Sequence, residues 1–115
     1  MERKNVSERV YNPDSWVIIK LNNDEGIKYR VLAGFVEKPR NSEDWRVSKE
    51  IVGIELVDKI YHFTCSSGSV YQCDSSSYTL DDNLYNIWCA IKDKKCSEVE
   101  LLKDYPNWLE YKWSF

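Results

Sequence analysis

Two periodicities divide the chain. Up to about residue 73, apolar residues come in short β-branched and aromatic runs or alternate with polar ones; from residue 80 they recur every three or four positions. "SWVIIKL" (15–21) is β-branched and aromatic and predicts a strand. "NNDEG" follows as a turn, with Gly26 able to take positive φ. "IKYRVLAG" (27–34) alternates, placing Ile27, Tyr29, Val31 and Ala33 on one face and Lys28 and Arg30 on the other. These two runs predict a hairpin. "FVEKPRNSEDWRVSK" (35–49) predicts a long charged connection, and "EIVGIELV" (50–57) a third strand with Gly53 a candidate bulge. Asp58 and Lys59 make a tight turn into "IYHFTC" (60–65), which pairs with "SVYQC" (69–73).

The tip of that second hairpin sets its register. A three-residue loop Ser66-Ser67-Gly68, with glycine last in the left-handed conformation, puts Cys65 opposite Ser69, Phe63 opposite Tyr71 and Tyr61 opposite Cys73. Tyr61, Phe63, Cys65, Tyr71 and Cys73 then share one face, and Ile60, His62, Thr64, Val70 and Gln72 the other. A slip of one residue would send Tyr71 and Cys73 to the polar side.

In "LDDNLYNIWCAIKD" (80–93), Leu84, Ile87, Trp88 and Ile91 form one stripe of an amphipathic helix. Asp81 is its candidate N-cap, and Lys92, Lys94 and Lys95 suit its negative end. "SEVELLKD" (97–104) fits a strand or a helical turn equally. The expected fold is α+β, mainly β: a small, strongly bent antiparallel sheet or partial barrel of about five strands with one C-terminal helix packed on it. Residues 1–115 read as a single domain, with 1–10 a frayed N-terminus.

Composition narrows the functional classes. The net charge of −3 argues against long nucleic acid and against a membrane surface, which call for a basic excess. It leaves room for one small anion held by local cations. The start is too polar for a secretory signal, and no apolar run approaches the ~20 residues that span a bilayer. A cytosol, with reduced thiols, is the expected compartment.

The cysteines at 65, 73, 89 and 96 lack the close pairing of zinc sites, and His62 is the one histidine, so no metal or other cofactor is expected. The thiols read as small buried hydrophobes. Nothing matches a nucleophile elbow, a Walker loop or a metalloprotease helix, so no catalytic residue is assigned. His62, in mid-strand, reads as a surface or interface residue. The most informative segment is "EDWRVSK" (43–49), which brings Trp45, Arg46, Ser48 and Lys49 together. Trp can stack on a planar ring, and Arg can hold a phosphate through two parallel donors. The alternative is structural: Trp45 plugs the sheet and Arg46 pairs with Glu43 or Glu50. Aromatics at 14%, with five Trp and eight Tyr, also suit a protein-binding surface or self-association.

"NPDSWVIIK", "YRVLAG", "DWRVSKEI", "YHFTCSSGSVYQC" and "NLYNIW", in this order over residues 11–92, resemble a family of small, mostly uncharacterised phage proteins. Through that family the chain is similar to the anti-CBASS sponge proteins, which sequester cyclic nucleotide signals of bacterial antiviral defence. The resemblance implies a non-enzymatic phage protein, a homo-oligomer in the host cytoplasm, that binds a cyclic di- or trinucleotide. Arg46 and Lys49 would supply charge, Trp45 or Tyr71 a stacking surface, and Ser66, Ser67 and Ser69 hydroxyl or backbone donors, with Ser48 beside them. Two departures stand out: Phe35 and "VEKPRNSE" replace a second Trp and a Gly/Ser-rich loop, and Asp74 with serines replaces a basic stretch. Competing classes are a protein-binding inhibitor of a host defence complex, of anti-CRISPR type, and, third, an enzyme acting on a nucleotide.

Overall fold

The computed structural model describes residues 9–35, 45–94 and 98–113. Within them the chain forms strands β1 (Val10–Tyr11), β2 (Ser15–Asn23), β3 (Gly26–Gly34), β4 (Trp45–Val47), β5 (Ile51–Val57), β6 (Ile60–Cys65) and β7 (Val70–Asp74). Helix α1 (Asp82–Lys94), strand β8 (Glu98–Leu101) and a 3-10 turn (Trp108–Glu110) complete the order. The strands divide into two four-stranded sheets, β1-β7-β6-β5 in front and β4-β3-β2-β8 behind. All pairings are antiparallel except β1 with β7. The mainly-β class with one packed helix is as expected. Two facing sheets, and no closed barrel, take the place of one bent sheet.

The reason lies in β2. Successive strand residues point to opposite faces, and "SWVIIKL" is apolar on both. Trp16 and Ile18 face the front sheet, meeting Tyr61, Phe63 and Cys73 in the main core together with Tyr29, Val31 and Ala33 of β3. Val17, Ile19 and Leu21 face backwards, where Leu84 and Trp88 of α1 cover them together with Leu32. A strand with two dry faces needs two covers, here a sheet and a helix.

The hairpin registers hold as expected. Phe63 lies opposite Tyr71 and Tyr61 opposite Cys73, and the Cys65 N–H donates to the Ser69 carbonyl at 2.9 Å. Gly68 takes φ +94°, the left-handed value that lets the loop close after two serines. The β5–β6 turn is tighter, with Asp58 and Lys59 both left-handed (φ 50° and 70°), matching the twist of the strands they join. A register shift between Ile51 and Gly53 marks the bulge expected at Gly53.

Three short edge strands go beyond the five expected. Trp45–Val47 pairs with β3 instead of lying in a connection, and residues 36–44 of that connection lie outside the described residues. Val10–Tyr11 pairs with β7, so order reaches further toward the N-terminus than expected; residues 1–8 also lie outside the described residues. Glu98–Leu101 resolves the ambiguity at 97–104 in favour of a strand, because Val99 and Leu101 alternate onto the helix-side core.

Asp81 caps α1. Its Oδ1 accepts the Leu84 N–H at 2.9 Å, its backbone carbonyl takes the Tyr85 N–H at 2.8 Å, and its Oδ2 takes the Ser15 hydroxyl at 3.0 Å. Ser15 is buried, so Asp81→Ala removes both a cap and the acceptor of a buried hydroxyl. The expected loss is about 2 kcal/mol in urea unfolding, with an unchanged m-value.

Candidate functional site: an edge recess with two cations

Strand β4 is three residues long, and its alternation decides which side chains are available. Trp45 and Val47 pack against the helix-side core. Arg46 points the other way, toward the edge of the front sheet, where its guanidinium carbon lies 4.7 Å from the centroid of the Tyr11 ring. Tyr11 stacks on Tyr71 with centroids 4.8 Å apart and planes 27° off parallel. The result is a layered wall of guanidinium, phenol and phenol, held where β1 and β4 come together. A cation over a ring face is attracted by the ring quadrupole, and this fixes the guanidinium without using its N–H donors.

Beside that wall lies a recess of about 160 Å³, lined by Tyr11, Arg46, Val47, Ser48, Lys49, Ser67, Ser69 and Tyr71. Six of the eight residues singled out from sequence thus line one cavity, drawn from the 46–49 segment and the 67–71 hairpin. Among the described residues the cavity wall holds two cationic side chains and no carboxylate. Burial, only partly opposed by Arg46, pushes the Tyr71 hydroxyl well above the usual phenol range, so it stays a neutral group able to donate to an anion. Ser67 and Ser69 sit at the tip, their hydroxyls 3.3 Å apart.

Three assignments change. Trp45 belongs to the helix-side core and offers no stacking face in the recess. Ser48 lines the cavity, but its hydroxyl is committed: it accepts the Val31 N–H at 2.8 Å and donates to the Lys49 carbonyl at 2.6 Å. It holds the segment in place and is not a ligand donor. Ser66 turns away and donates to Glu50 Oε1 at 3.0 Å. Tyr71 is buried beneath Tyr11, which in turn lies beneath the Arg46 guanidinium, and Tyr11 is the residue of this wall that sequence reasoning missed. Two β-forming residues ahead of "NPDS" are too few to show a period, and only the parallel pairing with β7 brings Tyr11 to the site.

Cys65 and Cys73 are free and buried, and burial raises both thiols above their ordinary range. Native protein treated with iodoacetamide near neutral pH is therefore expected to stay unmodified at both positions, with alkylation appearing only in denaturant; peptide mass mapping reads the difference. Cys89 is half-buried and free, and Cys96 lies outside the described residues. Among the described residues no cluster of histidine, cysteine and acidic side chains is arranged to hold a metal ion, and no helix is long and apolar enough to cross a membrane. Comparisons with protein-family models, with curated proteins and with solved structures find no match to this chain.

Proposed function

We propose that the protein is a non-enzymatic binder of a cyclic di- or trinucleotide: a phage counter-defence protein that withholds an immune signal from its effector in the host cytoplasm. One observation carries the reading. Segments distant in sequence converge on a recess that combines two cations, a neutral phenol and two serine hydroxyls against a stacked aromatic wall. Arg46 and Lys49 match a phosphodiester, the tip hydroxyls supply further donors, and the Tyr11–Tyr71 stack holds the Arg46 guanidinium in place.

At about 160 Å³ the recess is smaller than the roughly 300–1,000 Å³ of a whole small-molecule site. It accommodates one phosphate group with its flanking atoms. The rest of the ligand lies over neighbouring surface or against a second copy of the chain, consistent with the homo-oligomer that the resemblance implies. The competing reading, an inhibitor that docks on a host defence protein, draws on exposed Val10, Val52, Val57, Tyr85, Tyr105 and Leu109. These are spread over β1, β5, α1 and the C-terminal segment with its 3-10 turn. Thermal shift with a panel of cyclic nucleotides, followed by mass spectrometry of the released ligand, tests the proposal. Stabilisation with the ligand recovered intact supports it; turnover of the ligand would make the protein an enzyme.

A further inference from the structure

A second recess, of about 380 Å³, adjoins the first. The 49–50 and 66–67 segments contribute to both: Lys49 and Ser67 line the first, Glu50 and Ser66 the second. The two segments are tied by the Ser66 N–H, which donates to the Glu50 carbonyl at 2.9 Å. The recesses therefore share a single wall. The second is apolar along Ile27, Ile51 and Val52 and polar where Lys28 meets Glu50, with the Glu25 carboxylate also in its lining and acting on Lys28.

That polar end is held in a defined geometry. Lys28 Nζ lies 2.9 Å from Glu50 Oε2, and the Ser66 hydroxyl donates to Oε1 at 3.0 Å. The Lys28 ammonium and the Ser66 hydroxyl hold the Glu50 carboxyl below the usual carboxylate range, so it is an acceptor at neutral pH. A carboxylate offers about four acceptor sites, and these two contacts leave one on each oxygen. The side chains of Lys28 and Glu50 are 36% and 30% exposed, which leaves both within reach of a ligand.

An ammonium next to two carboxylate oxygens is the complement of one nucleobase edge. Guanine presents an acceptor, O6, followed by two donors, N1–H and N2–H. We propose, building on the nucleotide-binding reading above, that the second recess is a base subsite selective for guanine. The purine rests on Ile27 and Val52, Lys28 donates to O6, and Glu50 accepts from N1–H and N2–H, while the adjoining phosphodiester sits against Arg46 and Lys49. Adenine offers only one donor and one acceptor on the same edge, and so loses a contact to a charged group.

The test is a titration of wild type, Glu50→Gln, Lys28→Met and Arg46→Ala with cyclic di-GMP and cyclic di-AMP. The exposed Lys28–Glu50 pair contributes little to folding, and far-UV circular dichroism checks each variant. Wild type is expected to favour cyclic di-GMP by tenfold or more. Glu50→Gln and Lys28→Met should each collapse that preference, whereas Arg46→Ala weakens both ligands alike. Equal wild-type affinity for the two ligands, or a preference that survives both Glu50→Gln and Lys28→Met, overturns the guanine subsite and leaves the phosphate recess standing. No binding of either ligand by wild type overturns the guanine subsite, and the reading on which it rests falls with it only when the rest of the cyclic di- and trinucleotide panel also fails to bind.

Discussion

Replacing Trp16 with alanine is expected to cost about 3–5 kcal/mol of folding free energy, the largest single loss in the molecule. Trp16 is fully buried at the centre of the main core. Its ring contacts Tyr61, Phe63, Tyr78 and Trp108, with centroids 6.1, 5.4, 4.8 and 6.3 Å away. Its indole N–H donates to the Asp74 carbonyl at 2.8 Å, tying the back sheet to the end of β7. Alanine would leave a cavity bordered by four aromatic rings, and it would remove the tie to that carbonyl, which would keep only the Ser77 N–H at 3.0 Å. Since small domains have only about 5–15 kcal/mol in total, the variant should melt far below wild type or fail to accumulate. Urea unfolding measures the loss, and Trp16→Phe, which refills most of the volume, should recover part of it. A loss under about 1 kcal/mol would mean that the two sheets are not held together at this point.

Arg46→Ala is expected to weaken cyclic-nucleotide binding by roughly ten- to a hundredfold while leaving the fold in place. A hydrogen bond to a charged group contributes about 1.5–3 kcal/mol, and every 1.4 kcal/mol is a factor of ten in affinity. Arg46 is exposed on an edge strand, and its guanidinium lies over the Tyr11 ring. The stability cost should therefore stay near or below about 1 kcal/mol. Arg46→Lys keeps the charge but not the planar pair of donors, so an intermediate affinity is expected. Binding by wild type should fall with added salt, as the attraction between an exposed cation and a phosphate is screened.

The contrast between Tyr71 and Tyr11 shows what was legible in the sequence. Tyr71 was placeable because the Ser66-Ser67-Gly68 loop admits one register, and that register also sorts aromatic from polar residues. Two independent constraints agreed. Tyr11 belongs to a two-residue strand whose partner is some sixty positions away, and nothing local marks it. Trp45 and Arg46 show the same limit. Their adjacency suggested a shared site, but on a strand neighbours point apart, and β4 sends Trp45 to the helix-side core and Arg46 to the recess. Once "WRV" is known to be a strand, the split follows; within a charged connection it could not be seen. The two-sheet arrangement was implicit in the two-sided apolar run of β2, yet a run of that kind does not say which element covers which face.

Calorimetric titration of wild-type protein with a panel of cyclic di- and trinucleotides tests most directly whether the recess is a phosphate-binding site. The predicted result is saturable binding of at least one of them, with a Kd on the order of micromolar or tighter, salt sensitivity, and release of the ligand chemically intact on denaturation. No binding across the panel, or a ligand whose affinity is the same for wild type and Arg46→Ala, would contradict it.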